Sequence, residues 1–307
     1  MHKNTPFVYL MLLITSALFA SAPIALKIAV GTFDPLTVAL FRFLIAGIIA
    51  LPLFVIQHHK ITRFDPLLIP ISLLGTGNVI FFVFAMARTI PNAAGIIYAT
   101  TPLMVLILSV LFLHENLTTQ KIAGMVLGFL GTLLVLILPL VRSNTLLFGD
   151  AIGNLLLFIG ALSWSGYIAG SRYLSAHRGY SSTYLMSISI LTSTFVLIVL
   201  SLLLTDIRHS VQQLTPYTFG IFIYLGIGAT VITYLLYQWV IKHSSAGLAS
   251  LAGYIQPPIG FLLAFLILKN PLSIEFVIGT ILAYIGVFIA TYEQKKKDLI
   301  TESLGGE

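Results

Sequence analysis

"TPLMVLILSVLFLHENLTTQKIAGMVLGFLGTLL", residues 101–134, is echoed 155 positions later by "QPPIGFLLAFLILKNPLSIEFVIGTILAYIGVFI", residues 256–289. Without a gap, Pro102 falls on Pro257, Leu117 on Leu272, Thr118 on Ser273, Gly124 on Gly279 and Gly131 on Gly286. A shorter pair, "ALFASAPIAL" from Ala17 and "ALSWSGYIAG" from Ala161, shares Ala-Leu, a serine at the fifth place and Ile-Ala at the eighth and ninth. Apolar runs also resemble one another by chance. The gapless coincidence of prolines and glycines argues instead for a chain of two similar halves.

Composition fixes the solvent of those halves. With 58% hydrophobic and 8% charged residues over 307 positions, the chain lies far from soluble domains, where about a quarter of residues are charged. It reads as an integral membrane protein. A span needs about 20 apolar residues to cross about 30 Å of hydrocarbon. Runs of that length, broken by Pro, Gly, Asn and charges, predict ten helices near residues 7–30, 35–56, 67–87, 93–113, 121–141, 149–171, 181–204, 217–240, 246–268 and 273–292. The start resembles a signal peptide cleaved near Ala22, but its apolar run continues to Val30 and reads as an uncleaved first span. Cysteine is absent, so disulfides and thiolate metal sites are excluded.

The net charge of +6 reflects orientation rather than a nucleic-acid partner. With a cytoplasmic N-terminus, the inner segments hold Lys3, Lys60, Arg63, Lys121, Arg172, Arg178, Lys242 and Lys295 to Lys297, while the outer ones hold Lys27, Arg88, Arg142, Arg208 and Lys269. This excess of basic residues inside places both termini in the cytoplasm, in keeping with an even number of spans. Five spans per half is odd, so the second half enters the membrane from the opposite side. The expected fold is an all-α integral membrane protein with ten transmembrane helices as two inverted five-helix repeats, residues 1–147 and 148–294. A basic then acidic cytoplasmic tail, 295–307, follows and meets anionic headgroups. Inverted repeats are a recurring design of secondary transporters, with the substrate site near mid-membrane.

From about Tyr9 to Tyr292 the chain resembles the EamA-type transporters of the drug/metabolite transporter superfamily. The resemblance is carried by "DPLTVALFRFLIAG", "TTPLMVLILSVLFLHENLT", "AGMVLGFLGTLLV" and "GNLLLFIGALSWSGYIAGSRYL", and in the second half by "IQPPIGFLLAFLILKNPLS" and "IGTILAYIGVFIA". One departure is Asn270, which stands where the repeat matches Glu115 and many relatives carry Glu. The resemblance implies export, and a central cavity lined by helices one, three, four, six, eight and nine.

Catalytic constellations are missing. "HEN" at His114 lacks the second histidine of a zincin, and neither a Gly-x-Ser-x-Gly nor a phosphate-cradling loop occurs. The reading is therefore not an enzyme, with no metal or cofactor and a single copy sufficient. All ten acidic residues lie in loops, tails or span ends, so no buried Asp or Glu offers itself for proton coupling.

The polar and aromatic residues within spans are the candidate path: Asn78, Tyr98, Thr101, Trp164, Tyr167, Tyr234, Tyr237, Gln238, Tyr254 and Gln256. Tyr98 and Thr101 share a helix face, as do Trp164 with Tyr167 and Tyr234 with Tyr237 and Gln238. Asn78 and Gln256 are amides that need partners in hydrocarbon. For each, interhelical hydrogen bonding or interface anchoring is the alternative. Pro102, Pro257 and Pro258 cannot donate to the carbonyls of Tyr98, Gly253 and Tyr254, and such interruptions point to a transporter's site. Packed kinks without ligand contact are the other reading. The small faces Gly124, Gly128, Gly131 and Gly279, Ala283, Gly286 read as close helix packing.

Arg42 is the one basic residue well inside a span. Asp34 can cap its helix and Pro35 suits the first turn, so Arg42 lies about 10 Å below the outer end and is expected to snorkel outward. It serves either as a one-sided gate or anchor on backbone carbonyls, or as partner of an anionic substrate group. The expected activity is export of small organic metabolites such as amino acids by alternating access across the cell inner membrane. A translocator of lipid-linked or nucleotide-like metabolites is the alternative on the same scaffold.

Overall fold

The computed structural model describes residues 5–58, 65–86, 88, 91–114, 118–142, 150–268, 274 and 277–290. The tail 295–307, Lys3, Lys60, Arg63, Lys269 and the Glu115/Asn270 pair lie outside them. The described residues form helices and turns, with no strand among them. The helices are α1 (Thr5–Ala29), α2 (Pro35–His58), α3 (Leu68–Met86), α4 (Pro91–Tyr98), α5 (Thr101–Leu113), α6 (Thr119–Arg142), α7 (Ala151–His177), α8 (Ser182–Leu204) and α9 (Ile207–Gln212). There follow α10 (Pro216–Ile223), a π-helical segment (Tyr224–Ile232), α11 (Thr233–His243), α12 (Ala246–Ser250), α13 (Ala252–Leu268) and α14 (Val277–Ala290).

Each predicted span falls on helix, although not always on one unbroken helix. Among the described residues six stretches are long and apolar enough to cross a membrane: Pro35–His58, Leu68–Ala85, Ile96–Leu113, Ala151–His177, Ser182–Leu204 and Pro216–His243. Pro6–Ala22, Thr119–Leu134 and Val277–Ala290 are shorter apolar helices. The exterior suits lipid rather than water: Phe112, Phe195 and Leu203 are 68%, 68% and 74% exposed.

Side-chain oxygens start several helices as the sequence requires. Asp34 accepts from the Thr37 amide at 3.0 Å, Asp150 from Gly153 at 3.0 Å, and Ser181 from Tyr184 at 3.1 Å. These bonds satisfy amides that have no partner within the helix.

The long helices pack pairwise: α2 on α8, α3 on α7 and α8, α5 on α7, and α1 on α11 and α13. Lipid gives little hydrophobic drive to such contacts, so small residues and hydroxyls hold them. Thr194 donates to the Phe43 carbonyl at 2.8 Å, and Thr76 bonds Ser193 at 2.8 Å. The two predicted glycine faces meet each other. A Cβ on Gly131 would lie 2.4 Å from the Ala283 amide and 2.8 Å from the Gly279 carbonyl, and one on Gly286 would lie 2.2 Å from the Gly128 amide and 2.6 Å from the Gly124 carbonyl. Numbers rising along α6 meet numbers falling along α14, so the pair is antiparallel with backbones in contact.

One end of the bundle is tied by charge. Arg172 donates to the Ile241 and Lys242 carbonyls at 3.1 and 2.6 Å, occupying acceptors that the end of α11 leaves open. Lys242 reaches the Tyr180 carbonyl at 3.2 Å, and Arg178 pairs with Asp65 at 3.0 Å.

Candidate functional site

Five rings converge where α1, α7 and α11 meet. Trp164 stacks on Tyr237 (centroids 5.7 Å, planes 9° apart) and on Tyr167 (5.2 Å, 25°). Phe19 stands edge-on to Trp164 at 6.0 Å and to Tyr237 at 5.5 Å. Tyr234 closes the group, 6.0 Å from Trp164 and 6.5 Å from Tyr167. Helical spacing explains the assembly: three residues separate Trp164 from Tyr167, and Tyr234 from Tyr237, so each pair shares a face. Trp164 stays half-buried despite contacting four rings, so the cluster borders solvent-accessible space.

Two amides frame the rings. Gln238 donates through Nε2 to the Tyr167 hydroxyl at 2.6 Å and to Ser171 at 3.0 Å. Its Oε1 is buried without a hydrogen bond among the described residues. On the other side, Asn78 Nδ2 donates to the Tyr98 hydroxyl at 2.7 Å and to the Gly160 carbonyl at 3.1 Å. The Tyr98 hydroxyl lies against Gly160, one turn of α7 before Trp164, which sets Asn78 and Tyr98 beside the group of Trp164, Tyr167, Tyr234, Tyr237 and Gln238. Tyr237 also donates to the Ala249 carbonyl at 3.2 Å, which ties the centre to α12.

Arg42 borders this centre through Thr230, four residues before Tyr234. Its Nε donates to Thr230 Oγ1 at 2.6 Å and one terminal nitrogen to the Ala229 carbonyl at 2.9 Å. The expected outward snorkel is not what the structure shows. The Arg42 carbonyl and Ile45 lie against Gly226, whereas the guanidinium bonds residues three and four further along. Phe41 beside Phe222 and Ile45 beside Gly226 show the two helices running in the same direction. The side chain therefore reaches away from the start of α2, toward the rings. A hydroxyl and a backbone carbonyl within the bundle hold it there.

Both acceptors lie in a feature the sequence did not disclose. Residues 224–232 are π-helical, a rare form with i→i+5 bonds that occurs frequently at functional sites. Threonines support the wide register: Thr230 donates to the Leu225 carbonyl at 2.7 Å and Thr233 to Gly228 at 2.8 Å, each five residues back. Ser21 and Tyr224 join hydroxyls at 2.5 Å and pin the start of the segment to α1.

Not every candidate is brought to the centre. Tyr254 packs its ring on Gly128, where a Cβ would lie 2.7 Å away, among Leu106, Met125 and Leu251. Thr101 is buried at the start of α5, its hydroxyl without a partner among the described residues. Gln256 is half-buried on α13. Pro102 sits in the first turn of α5, beyond a break at residues 99–100. In the second half the break falls at Leu251, and Pro257 and Pro258 lie inside α13. Local bonds set it there: Ser245 caps α12 through the Leu248 amide, and Leu251 donates back to Leu248. Gly253 nevertheless approaches Pro102 and the Tyr98 carbonyl, at 3.4 and 4.0 Å from a Cβ placed on it. Sequence reasoning missed Phe19, Ser171 and Thr230. Phe19 was within reach, because the repeat sets it one place from the position matching Trp164.

Among the described residues no three His, Asp or Glu side chains gather to hold a metal ion. Apolar helices around a buried aromatic and amide centre have the build of a membrane transport protein. The chain belongs to the EamA-like transporter family, whose model matches it twice, over residues 6–137 and 151–292. It is 28% identical to the uncharacterized inner membrane transporter YedA of Escherichia coli strain K12, over 80% of this chain and 78% of that one. The uncharacterized transporter YyaM of Bacillus subtilis is also 28% identical, over 92% and 93%, and an uncharacterized transporter of Clostridium kluyveri 25%, over 94% of each. A protein solved by crystallography, 19% identical, superposes with a TM-score of 0.79 over 95% of this chain and 98% of its own, a likeness of fold.

Proposed function

We propose that this membrane transporter is a secondary exporter of small organic metabolites such as amino acids, working by alternating access. The carrying observation is the buried ring cluster, open on its Trp164 side and framed by Asn78 and Gln238. Ring faces favour apolar side chains and attract ammonium groups, and the unpaired Gln238 Oε1 is an acceptor for an N–H. Among the described residues every carboxylate lies in a loop or at a helix end, so neutral or zwitterionic solutes fit better than cations.

The same proposal takes the chain as ten spans in two inverted halves, 1–147 and 148–294, acting as a single copy in the cytoplasmic membrane. Its support is a contact pattern that survives exchange of the halves. Gly124 meets Gly286 and Gly131 meets Gly279, which are the same pair with the repeats swapped. Tyr98 meets Gly253, its own counterpart at the offset of 155. Cytoplasmic termini are supported by Arg172, Arg178 and Lys242 gathering at one end.

Flux of labelled amino acids in proteoliposomes tests the reading. Transport that Trp164→Ala and Gln238→Ala both diminish is expected. Failure to move any amino acid or related metabolite, with movement of a lipid-linked carrier instead, overturns it.

A further inference from the structure

Arg42 carries a charge that the fold leaves open. A guanidinium has five N–H donors, and this one spends two, on Thr230 Oγ1 and the Ala229 carbonyl. Among the described residues no ion pair involves Arg42; the Phe43 ring, with its centre 5.5 Å from the guanidinium carbon, offsets only part of the charge. A cation in that setting is costly unless something compensates it.

Both of its acceptors belong to the π-helical segment. Thr230 accepts from Arg42 while donating to the Leu225 carbonyl, so one hydroxyl links the guanidinium to the i→i+5 register. Gly226 admits α2 against the segment, a Cβ there falling 2.7 Å from Ile45 and 3.0 Å from the Arg42 carbonyl. Just beyond stands Tyr234, four residues past Thr230 and touching Trp164 and Tyr167. A small solute seated on the rings is therefore one aromatic ring away from the guanidinium.

We propose that Arg42 is the binding site for a carboxylate of the transported solute, and that the π-helical segment is the latch this binding releases. The inference rests on the transport reading and names its substrate class. The carboxylate takes the open edge of the guanidinium in a charge-assisted, bidentate bond and draws it from Ala229 and Thr230. Without that clamp, residues 224–232 relax toward α-helical pairing. A π segment carries extra residue per turn, so relaxation turns α10 relative to α11 and changes how α10 sits on α1 and α2.

Benzoate and benzamide are matched probes, alike in ring and differing in charge. In purified protein, benzoate is expected to raise the melting temperature and benzamide to do so far less. Arg42→Gln, with its fold checked by circular dichroism, should bind benzoate about tenfold or more weakly and benzamide unchanged. Thr230→Val keeps the charge but removes part of the clamp, so it should bind benzoate more tightly than wild type; this variant keeps the test open if Arg42→Gln does not fold. The natural lack of cysteine allows spin labels at Val30→Cys and Tyr217→Cys, both exposed, whose separation should shift with benzoate and not with benzamide. Equal response to the two probes in wild type, an Arg42→Gln variant that binds benzoate as wild type does, or Thr230→Val binding it no better overturns the proposal. Flux of neutral solutes that persists without carboxylate preference overturns the latch alone, whereas absence of all flux overturns the transport reading.

Discussion

Asn78 donates to the Tyr98 hydroxyl at 2.7 Å and, with its second amide hydrogen, to the Gly160 carbonyl, so one side chain joins α3, α4 and α7. Interhelical hydrogen bonds in membranes contribute about 0.6 kcal/mol on average and up to about 1.7. Asn78→Leu is therefore expected to lower stability by about 1–3 kcal/mol, and Tyr98→Phe by less, because Asn78 keeps its bond to Gly160. Unfolding in detergent mixtures reads the difference.

The seam between α6 and α14 makes a sharper demand. Gly286→Ala sets a Cβ 2.2 Å from the Gly128 amide, so the helices must part, at about 1–3 kcal/mol. Gly220 has nothing within 4 Å of the same added atom. Gly220→Ala should leave stability unchanged or raise it by up to about 1 kcal/mol through helix propensity. Gly286→Ala should melt below wild type and Gly220→Ala at or above it.

Only two tryptophans occur in the chain. Trp164 sits in the ring cluster, and Trp239 stacks on His243 at 4.1 Å. In a Trp239→Phe protein the remaining fluorescence reports the candidate site and should change on adding a transported amino acid. A Trp164→Phe protein should show no such change, and titrations of the two separate site binding from nonspecific effects.

At an exposed end, the Arg88 hydrogen bond holds the Asp150 carboxyl below its usual range, helped by the Gly153 amide. A lowered native value stabilises the fold above the unfolded-state value of about 3.9, and the gain fades as pH falls through the native value. Asp150→Asn, which keeps the cap but removes the charge, should melt slightly lower than wild type at pH 7. The gap should narrow as pH falls below about 3.9, closing once the native carboxyl is protonated, and shrink with salt, since the pair is exposed.

Much of this architecture was legible because it is local. Apolar length placed the helices, Asp34 and Asp150 marked two of their starts, and glycine spacing announced the seam. Helical spacing also gathered Trp164 with Tyr167 and Tyr234 with Tyr237. What stayed hidden depends on partners remote in sequence. The wide register of residues 224–232 needs threonines bonded five back together with a guanidinium 187 and 188 residues away. Proline identity pointed to Pro257, yet the cap at Ser245 moved the break to Leu251. Tyr254 looked like a path residue until the absence of a side chain at Gly128 gave its ring a berth.

The seam also governs movement. At Gly124, Gly128, Gly131, Ala283 and Gly286, backbone rests on backbone, so at these positions α6 and α14 meet without a flexible side chain to deform. Sliding by one helical turn would drive larger residues into those notches. The two helices thus behave as a single rigid post, and whatever rocks during a cycle must pivot beside it, among α1, α2, α7 and the rod from Pro216 to His243.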